Sequence, residues 1–196
     1  MEKTTSILTN VHDLRRRARE HIENGAVTDG YRADRATILD LLNGALASEI
    51  VCVLRYKRHY FMAHGPSSKG IREEFLAHAN EEQGHADQIA ERITQLGGAP
   101  NLNPEGMLAR SHSEYVPGDT ILDMLKEDLV AERIAVQSYS ELIRYVGDKD
   151  PTTRRLLEEI LAKEEEHAED LVSLMAQMAP PIARDTKVAS GTTEPR

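Results

Sequence analysis

Two short stretches, Glu82-Gln83-Gly84-His85 and Glu164-Glu165-Glu166-His167, decide how this sequence is interpreted. Both follow the pattern Glu-x-x-His, which occurs nowhere else in the 196 residues. Residues three apart lie on the same face of an α-helix, so each stretch places a carboxylate beside an imidazole. Such a pair forms a set of metal ligands if the helix turns that face inward.

Around these stretches, glycine and proline clusters separate four long segments with helical periodicity. Ser67 or Ser68 is expected to cap the second helix, and Asp119 the third. Asp150 is expected to cap the fourth, with Pro151 at its first helical position. The predicted helices cover about residues 34–64, 69–96, 119–146 and 151–179.

The lengths of the connections predict the topology of these helices. The first and third links have only a few residues, which makes the joined helices antiparallel neighbours. The link from Gly98 to Gly118 has 21 residues and can reach about 65 Å when extended, enough to cross a helix of about 28 residues, ~42 Å long. The sequence therefore predicts an all-α four-helix bundle with one long crossover between helices 2 and 3.

Three regions follow from this division. Residues 1–33 form an N-terminal extension in which residues 11–24 are predicted to be a short helix. Residues 34–178 form the bundle. Residues 179–196 have low complexity and no periodicity, so we expect a flexible C-terminal tail.

Each predicted helix has an apolar stripe with the spacing of a bundle core, and a carboxylate interrupts each stripe near its middle. An unpaired carboxylate in an apolar interior costs several kcal/mol, so four of them require neutralisation, which two divalent cations would supply. The two Glu-x-x-His stretches add two imidazoles. The predicted metal ligands are Glu49, Glu82, His85, Glu132, Glu164 and His167.

Carboxylates and imidazoles without thiolates favour two iron ions, with manganese as an alternative and zinc as a competitor. A bundle of this kind, with a Glu from each of two helices and Glu-x-x-His from the other two, is a known framework for di-iron and di-manganese centres. The two halves of the chain also match. A tyrosine stands seven residues after each lone glutamate, namely Tyr56 and Tyr139.

The amino-acid composition excludes several classes of protein. The chain has 33 acidic and 24 basic residues, a formal charge of −9, and a single cysteine. One cysteine excludes a disulfide framework and a CxxC redox centre. No apolar run of about 20 residues is evident, and the N-terminus has no signal-peptide core, so we expect a cytoplasmic protein without a membrane contact.

The chain resembles the ferritin-like superfamily, and its bacterioferritin branch in particular. The resemblance spans about residues 34–178. It is carried by Leu42-Asn43-Gly44, Glu49, Tyr56, Glu82-x-x-His85-Ala86-Asp87 through Ile93, Asp128-Leu129-x-x-Glu132 and Glu164-x-x-His167.

This resemblance implies that Glu82 and Glu164 bridge two iron ions, that Glu49 and Glu132 are terminal ligands, and that His85 and His167 each bind one ion. It implies oxidation of Fe(II) by O2 or peroxide, iron storage and a homo-oligomeric shell. Tyr56 becomes a candidate electron donor.

Two departures from the family pattern have consequences. Gln83 stands where bacterioferritin has its haem-ligating methionine, so no haem is expected. Pro180-Pro181 and a polar tail stand where a fifth helix would follow, which leaves the number of subunits open.

Other interpretations remain open. A di-iron or di-manganese peroxidase, oxidase or hydroxylase would keep its metals and store no iron. A DNA-protecting mini-ferritin is a further alternative, suggested by Arg15-Arg16-Arg17-x-Arg19, but five acidic residues share that arm and DNA is not the expected partner. A metal-free helical scaffold is the third.

Four further residues have expected roles outside the ligand set. Asp128 is a candidate to orient a metal-bound histidine through its distal nitrogen. His78 is interpreted as structural or pore-lining, Tyr139 as a core residue, and Cys52 as a small buried residue.

Overall fold

The structure is a computed structural model that describes residues 9–65 and 68–178. All regular elements in these residues are helical. They are α1 (Val11–Arg17), a 3₁₀ turn (Ile22–Asn24), α2 (Arg35–Met62), α3 (Lys69–Gln95), α4 (Met107–Arg110), α5 (Ile121–Val146) and α6 (Pro151–Met178).

The four long helices pack as two antiparallel hairpins, α2 with α3 and α5 with α6. The hairpins meet through α2 against α5 and through α3 against α6. The segment between α3 and α5 is the long connection, and α4 lies within it against α2. The predicted four-helix bundle with one crossover is therefore confirmed.

Aspartate side chains cap α2 and α6, whereas the cap of α5 differs from the prediction. The Asp34 carboxylate accepts from the Thr37 amide, and Asp150 accepts from the amide of Thr153. The prediction that Asp119 caps α5 is wrong. Thr120 and Asp123 form a reciprocal capping box there, which satisfies two amide donors at once.

The second helix begins at Lys69 as predicted, but without a capping hydrogen bond. Ser68 holds the N-cap position of α3, but its hydroxyl donates to the carbonyl oxygen of Gly65 and accepts no capping bond. The other cap candidate, Ser67, lies outside the described residues.

Two aliphatic layers fill the bundle on either side of its middle. One layer groups α2, α3, α5 and α6 residues such as Leu42, Ile89 and Leu157. The other includes Phe75, Leu125 and Leu171. The polar residues at mid-height are thus enclosed between two packed apolar layers.

Hydrogen bonds and apolar contacts hold the crossover segment against α2. The amide of Asn101 donates to Oδ1 of Asn43 at 2.7 Å, and the amide of His112 donates to Oγ of Ser48 at 2.9 Å. Met107 packs against residues of α2 between these two points. The connection therefore follows α2 along its length, as a crossing of the whole bundle requires.

By length and composition, α2 is apolar enough to cross a membrane, which corrects the expectation that no such segment exists. Half of its apolar window is buried inside the bundle, however. A buried core helix meets the same test, and α2 contributes Ile38, Leu42 and Tyr56 to the core.

The N-terminal extension contains a break that the sequence did not predict. In place of one helix over residues 11–24, α1 ends at Arg17 and a 3₁₀ turn covers Ile22–Asn24, with His21 between them in the left-handed region at φ 52°. Val11, Leu14 and Ile22 are exposed. The division into extension, bundle and tail stays a prediction, and residues 179–196 lie outside the described residues.

Candidate metal centre

Four helices bring the predicted ligands together at mid-height of the bundle. One glutamate comes from each of α2, α3, α5 and α6, and each of these four side chains is almost fully buried. The two histidines lie one helical turn after the glutamates of α3 and α6. The six residues are Glu49, Glu82, His85, Glu132, Glu164 and His167.

One group of donors surrounds His85. Its Nδ1 lies 3.0 Å from Oε1 of Glu164, 3.3 Å from Oε2 of Glu82 and 3.4 Å from Oε2 of Glu49. One donor atom from each of the four residues lies within 4.8 Å of the other three. The imidazole and three carboxylates thus converge on a single position.

A second group surrounds His167. Its Nδ1 lies 3.3 Å from Oε1 of Glu82, 3.7 Å from Oε2 of Glu164 and 4.0 Å from Oε2 of Glu132. One donor atom from each of these four residues also lies within 4.8 Å of the other three. Glu82 and Glu164 belong to both groups, so the two positions are adjacent and share two carboxylates.

The atoms of this cluster have the chemistry that cations require. Buried atoms of the four glutamates and Nδ1 of His167 have no hydrogen-bond partner. Unpaired buried polar atoms are costly. Oxygen and imidazole ligands suit Fe(II), Mn(II) or Zn(II), so these residues fit a pair of divalent cations.

Protons take up part of this charge when cations are absent. Burial and the neighbouring Glu82 raise the pKa of Glu49 to about 8, and burial raises that of Glu132 well above its usual value. Burial acts to lower the pKa of His85, but hydrogen bonds to Glu164, Glu49 and Glu82 outweigh it and raise the pKa to about 12. Cations that bind here must displace protons.

Two tyrosines join the halves reciprocally. The hydroxyl of Tyr56 in α2 donates to Oε1 of Glu132 in α5, and that of Tyr139 in α5 donates to Oε1 of Glu49 in α2. Each lone glutamate thus has one oxygen held by a tyrosine. Tyr139 is buried as predicted, but its bond to Glu49 was missed, although the shared seven-residue spacing contained that signal.

The predicted contact between Asp128 and a ligand histidine is wrong. The Asp128 carboxylate accepts from Nε of Arg55 at 2.8 Å and lies 2.7 Å from Nδ1 of His59. All three side chains are buried. Asp128 lies one turn before Glu132, at the level where α2 presents these two basic groups, so it forms a buried charge network with α2.

A different carboxylate reaches a ligand histidine. Oε2 of Glu81 lies 2.7 Å from Nε2 of His167, so the ring can direct Nδ1 towards the other glutamates. Glu81 immediately precedes Glu82 but contacts the other half of the bundle. The contact depends on how α3 is rotated against α6, for which the sequence contains no separate signal.

His78 lies directly behind the second donor group. Its Nδ1 is 3.2 Å from the Tyr56 hydroxyl, and its ring stacks on that of His167 with centroids 4.1 Å apart. Burial and His167 lower its pKa to about 4. This position agrees with a structural role, although a donor atom of His78 also lies near Glu132 and His167.

A narrow cleft approaches the centre from the side of the crossover. Ser48, Cys52, His112 and Ser138 line its walls, and Glu49 lies among its lining residues. Cys52 is buried as predicted, and burial raises the pKa of its thiol. The cleft brings these side chains and Glu49, Glu82 and Glu164 of the first donor group around one narrow space.

Four helices with interior carboxylates and two Glu-x-x-His stretches define a ferritin-like bundle, and the ferritin-like domain family matches residues 39–179. The chain belongs to this family.

Its relatives include bacterioferritins and DNA-protection proteins. It is 28% identical to the bacterioferritin of Desulfovibrio desulfuricans, over 70% of this chain and 74% of that one. It is 34% identical to the DNA protection during starvation protein of Pyrococcus furiosus, over 68% and 74% of the two chains.

Among solved structures, a dodecameric thioferritin of Bacteroides fragilis, described as bacterioferritin-related, matches with a TM-score of 0.72 and 31% identity over 75% of this chain and 89% of that one. The resemblance to the bacterioferritin branch is thereby confirmed.

Proposed function

We propose that this protein is a ferroxidase that oxidises Fe(II) to Fe(III) with O2 or peroxide and stores the product. The observation that carries the proposal is the pair of donor groups sharing Glu82 and Glu164. Two Fe(II) substrates held side by side supply the two electrons that reduce O2 to peroxide, or peroxide to water. Adjacent positions are what such a two-electron step needs.

Each residue has a role in this proposal. Glu82 and Glu164 hold both ions, Glu49 and His85 complete the first position, and Glu132 and His167 complete the second. The tyrosines keep the lone carboxylates oriented. Tyr56 is in addition the candidate electron donor, because its hydroxyl contacts Glu132 directly.

Cofactor and assembly complete the proposal. We propose two iron ions per subunit, with manganese or zinc as competitors, and no haem, because Gln83 offers no thioether. The relative from Bacteroides fragilis is a dodecamer, and we propose a homo-oligomer in the cytoplasm for this chain as well. Storage requires such a shell, whereas a non-storing di-iron enzyme does not.

Stopped-flow measurement of Fe(II) oxidation by the metal-free protein tests the activity. Glu82→Ala and Glu164→Ala should each reduce the rate by roughly 100-fold or more, because each removes a ligand from both positions. Glu166→Gln, an exposed residue paired with Lys163, is the matched control and should leave the rate unchanged. Unaltered rates in both alanine variants would refute the proposal.

Native mass measurement after iron loading tests storage separately. A shell should retain many more iron atoms than two per subunit. A monomer or dimer that retains only two would instead identify a di-iron or di-manganese oxidoreductase that stores nothing.

DNA protection is the second candidate function. Relatives with 30 to 34% identity carry DNA-binding or DNA-protection names, and the arginines of residues 15–19 are exposed. The acidic body of the protein opposes DNA binding. A gel-shift titration with duplex DNA at physiological salt decides between the two, since only the second candidate predicts a shift.

A further inference from the structure

One buried nitrogen of His78 points away from the dinuclear centre and towards two carboxylates. His78 is only 2% exposed, and its Nε2 has no hydrogen-bond partner. This atom lies 3.4 Å from Oε1 of Glu74, one turn earlier on α3, and 3.8 Å from Oδ2 of Asp170 on α6. Both carboxylate side chains are partly exposed, at 37% and 46%.

The hydrogen bond on the other side of the ring decides which nitrogen carries the proton. When Glu132 is ionised, as a metal ligand is, the single hydroxyl hydrogen of Tyr56 is donated to Glu132, so the Tyr56 oxygen can only accept from His78. Nδ1 of His78 therefore carries the proton, and in the neutral ring Nε2 presents a lone pair. Three acceptors, one nitrogen and two carboxylates, then face one another.

Distances also favour a shared cation over a direct ion pair. A charge-assisted hydrogen bond between an imidazolium and a carboxylate has a length of about 2.7–2.9 Å, and both separations at His78 exceed it. Ligands about 2.1 Å from one ion lie roughly 3.0–4.2 Å apart, depending on the angle between them. The separations of 3.4 and 3.8 Å fall within that range.

We propose that Glu74, His78 and Asp170 bind a third divalent cation, next to the dinuclear centre and open to solvent. The three residues supply donor atoms within 4.8 Å of one another. One imidazole and two carboxylates suit Fe(II), Mn(II) or Zn(II), and solvent completes the coordination.

The position of this third site gives it a role. The His78 ring stacks on His167, and Glu81, which contacts His167, lies three residues after His78 on the same helix. The third site thus lies between the acidic surface and the second position of the centre. It holds iron on its way to or from that position. This role rests on the proposed ferroxidase function, whereas cation binding itself does not.

Binding is tested with Co(II), which is close to Fe(II) in ligand preference. Equilibrium dialysis at physiological salt with metal analysis should give about three Co(II) per subunit for the unaltered protein and about two for Glu74→Gln/Asp170→Asn, since one ligand set loses its charge. The control Glu73→Gln/Glu169→Gln removes two neighbouring exposed carboxylates and should retain about three.

A second variant keeps the test independent of the centre. Glu82→Ala/Glu164→Ala should lose the two central ions and retain about one. The third site is refuted if Glu74→Gln/Asp170→Asn binds as many ions as the unaltered protein, or if the latter binds only two.

Fe(II) oxidation by the same variants separates the two proposals. Loss of one Co(II) in Glu74→Gln/Asp170→Asn supports the third site even if no variant oxidises iron. Rapid oxidation with no loss of Co(II) supports the ferroxidase and overturns the third site. Its delivery role predicts an oxidation rate several-fold slower in Glu74→Gln/Asp170→Asn than in the control pair.

Discussion

The two halves of the bundle carry the same proposed ligands but have different surroundings. In the α2–α3 half, His85 lies among three glutamates, and the adjacent cleft is lined by small residues such as Ser48 and Cys52. In the α5–α6 half, His167 is contacted by Glu81 and stacked on His78. Repeated ligands make two similar positions, and unequal neighbours make those positions chemically distinct.

The comparison therefore predicts that the two ions bind with unequal affinity and that neighbours of the ligands set the difference. The position at His167 is supported by an additional carboxylate and lies near an acidic surface. The position at His85 shares Glu49 with a narrow, largely apolar cleft. Three predictions test this asymmetry.

The largest effect is expected from Glu81. The Glu81 carboxylate orients the His167 ring and makes it more basic. Glu81→Gln removes that charge, so the ion at His167 should bind about 10- to 100-fold more weakly while the ion at His85 is unchanged. Co(II) titration followed by visible absorption resolves the two binding steps. Asp87→Asn, at an exposed position on the same helix where Asp87 pairs with Gln83, is the control and should leave both affinities unaltered. Equal weakening of the binding of both ions would contradict the predicted difference between the two positions.

A smaller effect is expected in the pH dependence of the metal-free protein. The raised pKa values of Glu49, about 8, His167, about 10, and His85, about 12, mean that the folded state holds more protons than the unfolded state above pH 7. Their contribution to stability is complete below the unfolded pKa values and is lost as pH rises through the folded ones. The free energy of unfolding should therefore fall between pH 7 and 9, by up to about 1.4 kcal/mol per pH unit for each group.

Urea unfolding at the two pH values measures this fall, and variants assign it. Glu49→Gln removes one of the proton-binding groups and should make the pH dependence in that window less steep, with the remaining slope due to His167 and His85. The lowered pKa of His78, about 4, acts only below pH 6.5 and does not contribute. Added Zn(II) should reverse the trend, because cations compete with protons for the same atoms. A stability that rises from pH 7 to 9 without metal would contradict the assigned shifts.

Much of the bundle follows from the sequence because period and link length are sufficient for it. Helical spacing places Glu49 and Glu132 on the inward stripes, and the 21-residue link is long enough to cross the bundle. Residues outside those stripes are harder to predict. The contact from Glu81 to His167 depends on the relative rotation of two helices that are distant in sequence.

Asp128 is a second residue whose contacts could not be predicted from the sequence. A role for Asp128 was predicted, but its partners were not. Arg55 lies outside the inward stripe of α2 that helical spacing identifies. Arg55 is only 1% exposed and donates to Asp128. A buried arginine is stabilised only by partners that the tertiary structure supplies, so its position could not be read from periodicity.

The smallest effect is expected from the tyrosines, which are related by the pseudo-symmetry of the halves. Tyr139→Phe removes one hydrogen bond, to Glu49, and should destabilise the protein by about 1 kcal/mol. Tyr56→Phe removes two, to Glu132 and from His78, and should destabilise it by about 2 kcal/mol. Their effects on Fe(II) oxidation should differ several-fold if Tyr56 supplies an electron, because Tyr56 also accepts from His78 and its counterpart Tyr139 contacts no such ring. Rapid-freeze electron paramagnetic resonance should detect a tyrosyl radical that disappears in Tyr56→Phe and persists in Tyr139→Phe. Equal rates and an unchanged radical in both variants would assign the two tyrosines a purely orienting role and leave Glu81 and His78 as the source of asymmetry between the halves.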